Sequence, residues 1–447
     1  MKLFQQMLVA TASVGLIAPI AAQASETLNT KGMNDYSRSN SSSIKFDSKT
    51  FVNEINEELA TIKGRVDGLE ARQNNFEAGG FSDTTTLDGK AIFSLGAVDY
   101  SQASVSDSEA VQAMYTYQMN LNTSFTGDDN LYVRIKSGNH SDWSKTKDFG
   151  TYLKSGNSNG DVLKVDKIWY EFPVGDRNTV WVGPKVENYY MHGTTPSIYQ
   201  PVTKQFTLGG NGYAYGASTS EGAGWAYKAD NGFAISSNFT TKSKSSVKVY
   251  DTFEDDQGVE QTLESYSYAE TGLLTDESKS AWATQVGYTT DRYSASVIAN
   301  IKSNGWSDTY YSSGDVNGTG GTGNSTSIGL RGWWRPESTG TATPSISLGY
   351  DTTEWDGATS ATSNSSAWFA GFNWQDMFQA DDKIGIAIGG PTVNESATID
   401  PFAYELYYSF KPNDSVTVTP AIFGGTDRDG SSGGDISGVV LETTFKF

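Results

Sequence analysis

The feature that most constrains this chain is a two-residue alternation that begins after Phe81 and runs to the last residue. Tyr115, Tyr117, Met119, Leu121 and Phe125 share one parity, and Thr116, Gln118, Asn120, Asn122 and Ser124 share the other. Phe402, Tyr404, Leu406, Tyr408 and Phe410 repeat the pattern against Ala403, Glu405, Tyr407 and Ser409. Successive side chains of a strand point to opposite faces, so each run is a strand with one apolar and one polar face. Two settings suit such strands. In a soluble sandwich the polar face meets solvent; in a membrane barrel it lines a lumen and the aromatic strand ends lie at the two interfaces.

The links between runs separate these settings. Short turns such as Gly127-Asp128-Asp129, Pro173-Val174-Gly175-Asp176 and Lys411-Pro412-Asn413-Asp414 alternate with longer polar links such as 139–161 and 242–280. That alternation is the asymmetry of an up-and-down barrel, which a Greek-key sandwich has no reason to keep. Counting Asn211 to Ser218 as a strand gives 17 and breaks the alternation; absorbing it into the preceding link restores it. The predicted fold is therefore an all-β, antiparallel transmembrane barrel of about 16 strands, with seven short turns, eight loops and both ends on the short-turn side. Val439, Leu441, Phe445 and Phe447 alternate with Gly438, Val440, Glu442, Thr444 and Lys446 up to the final residue. A terminal Phe on an alternating strand is similar to the assembly signal of outer-membrane barrels.

The first residues differ. Met1-Lys2, an apolar stretch from Met7 to Ile20 and Ala22-Gln23-Ala24 read as a secretory signal over 1–24. Its removal leaves 31 basic and 52 acidic residues, a net charge of −21. Residues 25–50, with Ser37-Arg38-Ser39-Asn40-Ser41-Ser42-Ser43, hold too few apolar side chains to offset ordering and read as a flexible linker. Within 51–80 a 3/4 spacing places Val52, Leu59, Val66 and Gln73 at one core position and Ile55, Ile62, Leu69 and Phe76 at the other. Two Ile at the second position disfavour a parallel dimer and point to a trimeric coiled coil, about 37 Å long. The competing reading is one amphipathic helix packed on its own domain. Residues 81–447 form the barrel.

Composition closes off several function classes. No cysteine removes thiol catalysis, disulfides and Cys-ligated zinc, and His140 and His192 alone cannot build a His-rich metal site. With 32 Lys+Arg against 52 Asp+Glu, the chain lacks the basic surface that nucleic acid demands. No G-x-S-x-G or phosphate loop occurs, so no catalytic residue, cofactor or metal is expected. The acidic stretch from Asp251 to Glu277 reads as a solvated external loop, since its spacing matches no calcium loop.

Lys63-Gly64-Arg65-Val66-Asp67-Gly68-Leu69-Glu70-Ala71-Arg72, followed by Phe81-Ser82-Asp83-Thr84-Thr85-Thr86-Leu87-Asp88-Gly89-Lys90, resembles the coiled-coil-to-first-strand junction of cyanobacterial outer-membrane porins. That family is grouped with carbohydrate-selective porins and is often called iron-uptake porin. The resemblance implies a homotrimer in outer-membrane lipid, with its N-terminal segment in the periplasm, passing small hydrophilic solutes or inorganic ions, carbohydrates or iron among them. Family members usually carry a surface-layer-homology domain before the coiled coil, for which 26–50 is too short. Peptidoglycan contact is then left to the coiled coil alone. The alternatives are a plugged structural barrel linking outer membrane and peptidoglycan, and an outer-membrane hydrolase.

Parity assigns the lumen lining. Lys90, Arg134, Lys136, Arg331, Glu405, Glu442 and Lys446 fall on the polar face. Arg134, Lys136 and Arg331 favour anions at their level and Glu405 favours cations, so selectivity is left unsigned. The third long link, read as 184–210, is the candidate constriction loop, with Lys185, Glu187, Tyr189, Tyr190, His192, Tyr199 and Lys204.

Overall fold

The architecture is that of a computed structural model, which describes residues 60–66, 68, 84–101, 110–145, 150–215, 219–244, 247–254, 257–258, 260–268, 270–306, 323–357, 363–395, 397–427 and 433–447. The chain divides into two units, Met1–Ala78 and Gly79–Phe447. In the first unit, 60–66 and 68 are helical, and Ile62 and Val66 are 57% and 44% exposed. The expected signal (1–24), linker (25–50) and heptad positions Val52, Ile55, Leu59, Leu69 and Phe76 lie outside the described residues. No helix among the described residues is long and apolar enough to cross a membrane.

The second unit is built of strands. They are β1 (Thr85–Tyr100), β2 (Gln112–Thr123), β3 (Asn130–Gly138), β4 (Lys164–Val174), β5 (Asn178–Glu187) and β6 (Thr219–Lys228). Next come β7 (Phe233–Lys242), β8 (Val247–Glu254), β9 (Glu260–Tyr268), β10 (Lys279–Thr289), β11 (Tyr293–Ser303) and β12 (Ser325–Trp334). The last are β13 (Ser345–Trp355), β14 (Asn364–Gln375), β15 (Lys383–Asn394), β16 (Phe402–Asn413), β17 (Val416–Thr426) and β18 (Ile436–Lys446). All but β8 and β9 form a closed barrel in which β1 pairs antiparallel with both β2 and β18, giving 16 strands. Closure leaves no unpaired edge.

Residues 211–215 form no strand, in line with the parity argument. Length alone separates the rims less cleanly than expected. The link 335–344 on the short-turn side is longer than 356–363 on the other. The acidic stretch is more ordered than a plain loop, because β8 and β9 pair there as a separate two-stranded sheet.

Burial inverts the pattern of a soluble protein. Trp282, Ile301 and Leu330 are 57%, 53% and 53% exposed on the outer wall, whereas Gln285, Asn300 and Arg331 are 1%, 0% and 4% exposed on the inner side. Such a wall suits an apolar solvent outside and a polar interior. At the closing pair, Ser94 and Glu442 face each other inward, while the Phe93 and Phe445 rings meet at a tilt, 5.2 Å apart, outside. Phe447 stacks on Tyr117 at 5.8 Å and accepts the Gly89 backbone N–H at 2.8 Å.

On the short-turn rim one device appears twice. The Asp129 carboxylate accepts the Phe125 and Thr126 N–H groups and the Tyr170 hydroxyl from β4. Asp382 likewise accepts the N–H groups of Met377, Phe378 and Gln379 and the Tyr408 hydroxyl from β16. In each turn an exposed Phe, Phe125 or Phe378, packs on that same Tyr.

Candidate functional site: a lumen narrowed by two inward loops

The polar parity of the strands decides what the lumen contains, and two long links decide how much of it stays open. The described part of the link after β5, residues 188–215, runs inside the barrel. Tyr199, Val202, Thr203, Phe206, Tyr213, Ala214 and Tyr215 are all buried. A backbone loop can enter a barrel only where its polar groups find partners, and the wall supplies them. Ser236 on β7 accepts the Gly193 N–H at 3.0 Å, and the Gln285 side chain on β10 accepts the Thr194 N–H at 2.9 Å. Asn300 and Lys302 on β11 donate to the Ala214 and Tyr213 carbonyls at 3.2 and 2.7 Å.

Two charged wall residues hold the loop's middle. Glu405 accepts four hydrogen bonds, from the Tyr199 hydroxyl (2.8 Å), the Val202 N–H (3.2 Å), the Thr203 N–H (2.8 Å) and the Thr203 hydroxyl (2.6 Å). Arg331 donates to the Leu208, Leu330 and Tyr350 carbonyls and to the Asp351 carboxylate at 2.6 Å. Leu208, Gly209, Gly210 and Asn211 all have positive φ (55°, 74°, 109° and 51°), a turn that aims the Leu208 carbonyl at Arg331. A Cβ on Gly209 would strike the Arg331 side chain, so glycine meets both the conformation and the close approach.

The second inward loop was not foreseen from sequence. The described residues of the link after β3, 139–145 and 150–163, carry Trp143 (1% exposed) against Phe423 and Leu153 (0%) into the same interior. The two loops pair with each other: Leu153 bridges Thr203, the Lys154 N–H donates to the Val202 carbonyl at 2.8 Å and the Lys204 N–H to the Tyr152 carbonyl at 2.6 Å. Ser155 donates to Glu442 and accepts, through its carbonyl, the Thr116 hydroxyl at 2.7 Å.

The expected lining residues divide accordingly. Arg331, Glu405 and Glu442 face inward and are engaged in holding loops. Arg134 is paired with Asp166, while Lys90 and Lys136 make no ion pair or hydrogen bond to the described residues through their ammonium groups. Asp166 is a bulged residue: Arg134 opposes Lys167 and Ile135 opposes Val165, so Asp166 is extra and shares the lumen side with Lys167.

The constriction-loop candidates also separate. Lys185 and Glu187 belong to β5, which extends further than the expected loop start. Lys185 is exposed and donates to the Val165 carbonyl of β4 at 2.9 Å, so it is not a constriction residue. Glu187 pairs with the buried Lys167. Tyr189 and Tyr190 stack at 4.8 Å, and Lys167 sits over both rings at 5.2 and 4.5 Å. Tyr190 also meets Tyr132 and Trp169 at 6.4 and 5.0 Å and is 41% exposed. His192 packs edge-on against Tyr215; burial lowers its pKa to about 3, so the imidazole is neutral at ordinary pH. Tyr199 is buried on Glu405, and Lys204 lies half-buried where the two loops meet.

The lumen therefore offers an aromatic platform of Tyr132, Trp169, Tyr189 and Tyr190 edged by the Arg134–Asp166 and Lys167–Glu187 pairs. No group of three or more metal-ligating side chains occurs among the described residues. The sequence pattern of the carbohydrate-selective porin, OprB family matches residues 47–445. The chain belongs to that family. The family places this barrel in the outer membrane. An uncharacterized protein of Nostoc is 26% identical over 427 residues, covering 88% of this chain and 71% of the relative. One from Synechocystis is 33% identical over 140 residues, covering 30% of this chain and 25% of the relative. The structure of Pseudomonas putida OprB superposes with a TM-score of 0.55 at 12% identity, covering 85% of this chain and 97% of that one. At that identity the likeness to OprB concerns the fold.

Proposed function

We propose that this porin is a narrowed, water-filled channel for passive diffusion of small hydrophilic solutes, with sugars and inorganic anions as the cargo its lining suits. The observation that carries this is the lumen itself, whose polar wall is narrowed by two anchored loops beside an aromatic platform. Selectivity then follows from bore and lining charge, with no catalytic group required. Ring faces such as Tyr190 suit the apolar faces of sugar rings, and the adjoining ion pairs suit hydroxyls. The inward carboxylates Asp166, Glu187, Asp351, Glu405 and Glu442 are each held by a protein donor. Lys90, Lys136 and Lys154 are not so paired, so the free charge is positive and favours anions despite the chain's net −20.

The proposed assembly is a trimer joined by the 51–80 coiled coil in the periplasm, following a cleaved signal. The exposed Ile62 and Val66 on the helical segment support an apolar stripe that a second and third helix would cover. A plugged structural barrel is the second reading, favoured by the joint packing of two loops in the interior.

Planar-bilayer recording decides between them. The expected result is an ohmic channel closing in three equal steps, with a reversal potential on the anion-selective side that moves toward cations in Lys136→Glu. Folded protein that inserts without conductance refutes the channel and supports the plug; single-step closure refutes the trimer.

A further inference from the structure

Beneath the two loops, toward the short-turn rim, lies a cavity of about 310 Å³. Its roof is Lys154, Ser155 and the strip Gln200, Pro201 and Val202, and its wall comes from β1 and β15–β18. Five lysines line it, against two carboxylates. Lys411 is paired with Asp381 at 3.4 Å. Glu442 is engaged by Ser155 and by Ser94 at 3.3 Å. Lys90, Lys154, Lys383 and Lys446 then remain with no ion pair or hydrogen bond to the described residues through their ammonium groups, four positive charges facing one carboxylate. Hydroxyls of Ser409, Thr417, Thr419 and Thr444 fill the intervals.

We propose that this compartment is a binding site for phosphate-bearing anions, inorganic phosphate or a small phosphorylated solute, held on the short-turn side of the constriction. The inference rests on the channel reading for how the anion arrives, and on the cavity alone for how it is held. Like charges gathered along one recess repel one another, and a multivalent counter-ion offsets that repulsion more fully than a monovalent one. Lysine ammoniums bind phosphate as point charges from several directions, and hydroxyls donate to the remaining oxygens. Partial desolvation among the inward loops, with Lys90 and Lys204 nearby, lowers Lys154 to about 8, so it stays mostly protonated at neutral pH. A neutral sugar finds less here. The one ring in the lining, Tyr407, is buried, and its hydroxyl accepts from Asn373 at 2.8 Å.

The neighbouring cavity of about 330 Å³ shares Gln200 but is lined by Thr195, Ser197, Thr339, Thr341, Thr343 and other uncharged groups, with Arg335 as its cation. Solutes leaving the constriction thus meet a cationic chamber on one side and a hydroxyl-rich one on the other.

The test is calorimetric titration of inorganic phosphate into the full-length protein folded in detergent, alongside phosphate inhibition of KCl current in bilayers. Wild-type protein should bind phosphate, and binding should weaken when salt rises from about 0.1 M to about 1 M, which shortens the screening length from about 10 Å to about 3 Å. The Lys90→Gln/Lys446→Gln pair should weaken binding by about tenfold or more, the loss of two charge-assisted contacts. Lys154→Gln/Lys383→Gln carries the same expectation should the first pair fail to fold. Arg177→Gln, which removes an exposed turn pair with Asp230, should leave binding unchanged. Phosphate bound equally by wild type and both double variants overturns the site, as does conducting protein that binds none. Lysine-dependent phosphate binding by protein without conductance upholds the site and refutes the channel.

Discussion

Replacing Glu405 with Gln tests whether the narrowing is held by the wall. One carboxylate oxygen accepts Tyr199 Oη and the Val202 N–H; the other accepts the Thr203 N–H and hydroxyl. An amide of the same shape has a single acceptor oxygen, so in either orientation its NH₂ confronts one of the two backbone donors. An unmet buried donor costs about 1–3 kcal/mol, and the remaining bonds lose about 1 kcal/mol of charge assistance. The sum, about 2–4 kcal/mol, shifts local docking of 199–204 by roughly 30-fold to 1,000-fold at about 1.4 kcal/mol per decade. The barrel ladder is untouched, so the variant should still migrate as a folded, heat-modifiable barrel. Single-channel recording should change from one steady level to flicker between that level and a larger one. A folded Glu405→Gln protein with the wild-type current and noise would refute the anchoring argument.

Two further outcomes follow from the anchors and the rim. Arg331→Met strands the buried Asp351 and should lower the thermal midpoint, by about 3–5 kcal/mol of stability; adding Asp351→Leu should recover much of it, and an unchanged midpoint in the single variant would contradict the buried pair. At the rim, burial pushes the Asp382 carboxyl up, but the N–H groups of Met377, Phe378 and Gln379 and the Tyr408 hydroxyl outweigh it and hold it below the usual range. A depressed carboxyl contributes stability above its unfolded pKa of about 3.9 that is lost as pH falls through the folded value. Acid unfolding of Asp382→Asn should therefore be flatter than that of wild type below about pH 4, and identical profiles would count against it.

What the sequence disclosed was what parity and turn chemistry encode. Alternation placed Arg331, Glu405 and Glu442 inside, and the rhythm of links led to 16 strands. Their task was hidden because it depends on partners far along the chain: Glu405 meets Tyr199 across 206 positions, and Ser155 meets Glu442 across 287. The loop 188–218 had a signal in its aromatic density. The loop 139–163 had less, since Trp143, Phe149, Tyr152 and Leu153 are scattered through a stretch dominated by polar residues and glycine. The bulge at Asp166 defeats parity by construction, because one extra residue reverses the face of all that precedes it in the strand.

The anchoring of the loops also bears on how the molecule is put together. Both inward loops are complete by residue 218, whereas Gln285, Arg331, Asp351, Glu405 and Glu442 all come later in the chain. When these loops first emerge, the charged residues that will hold them have not yet been made. Glu442 stands on the last strand and takes hydrogen bonds from Ser94 on the first strand and Ser155 in the loop. Zipping the first strand to the last and seating the loop that carries Ser155 therefore share a residue, which ties that part of the finished interior to the final act of closure.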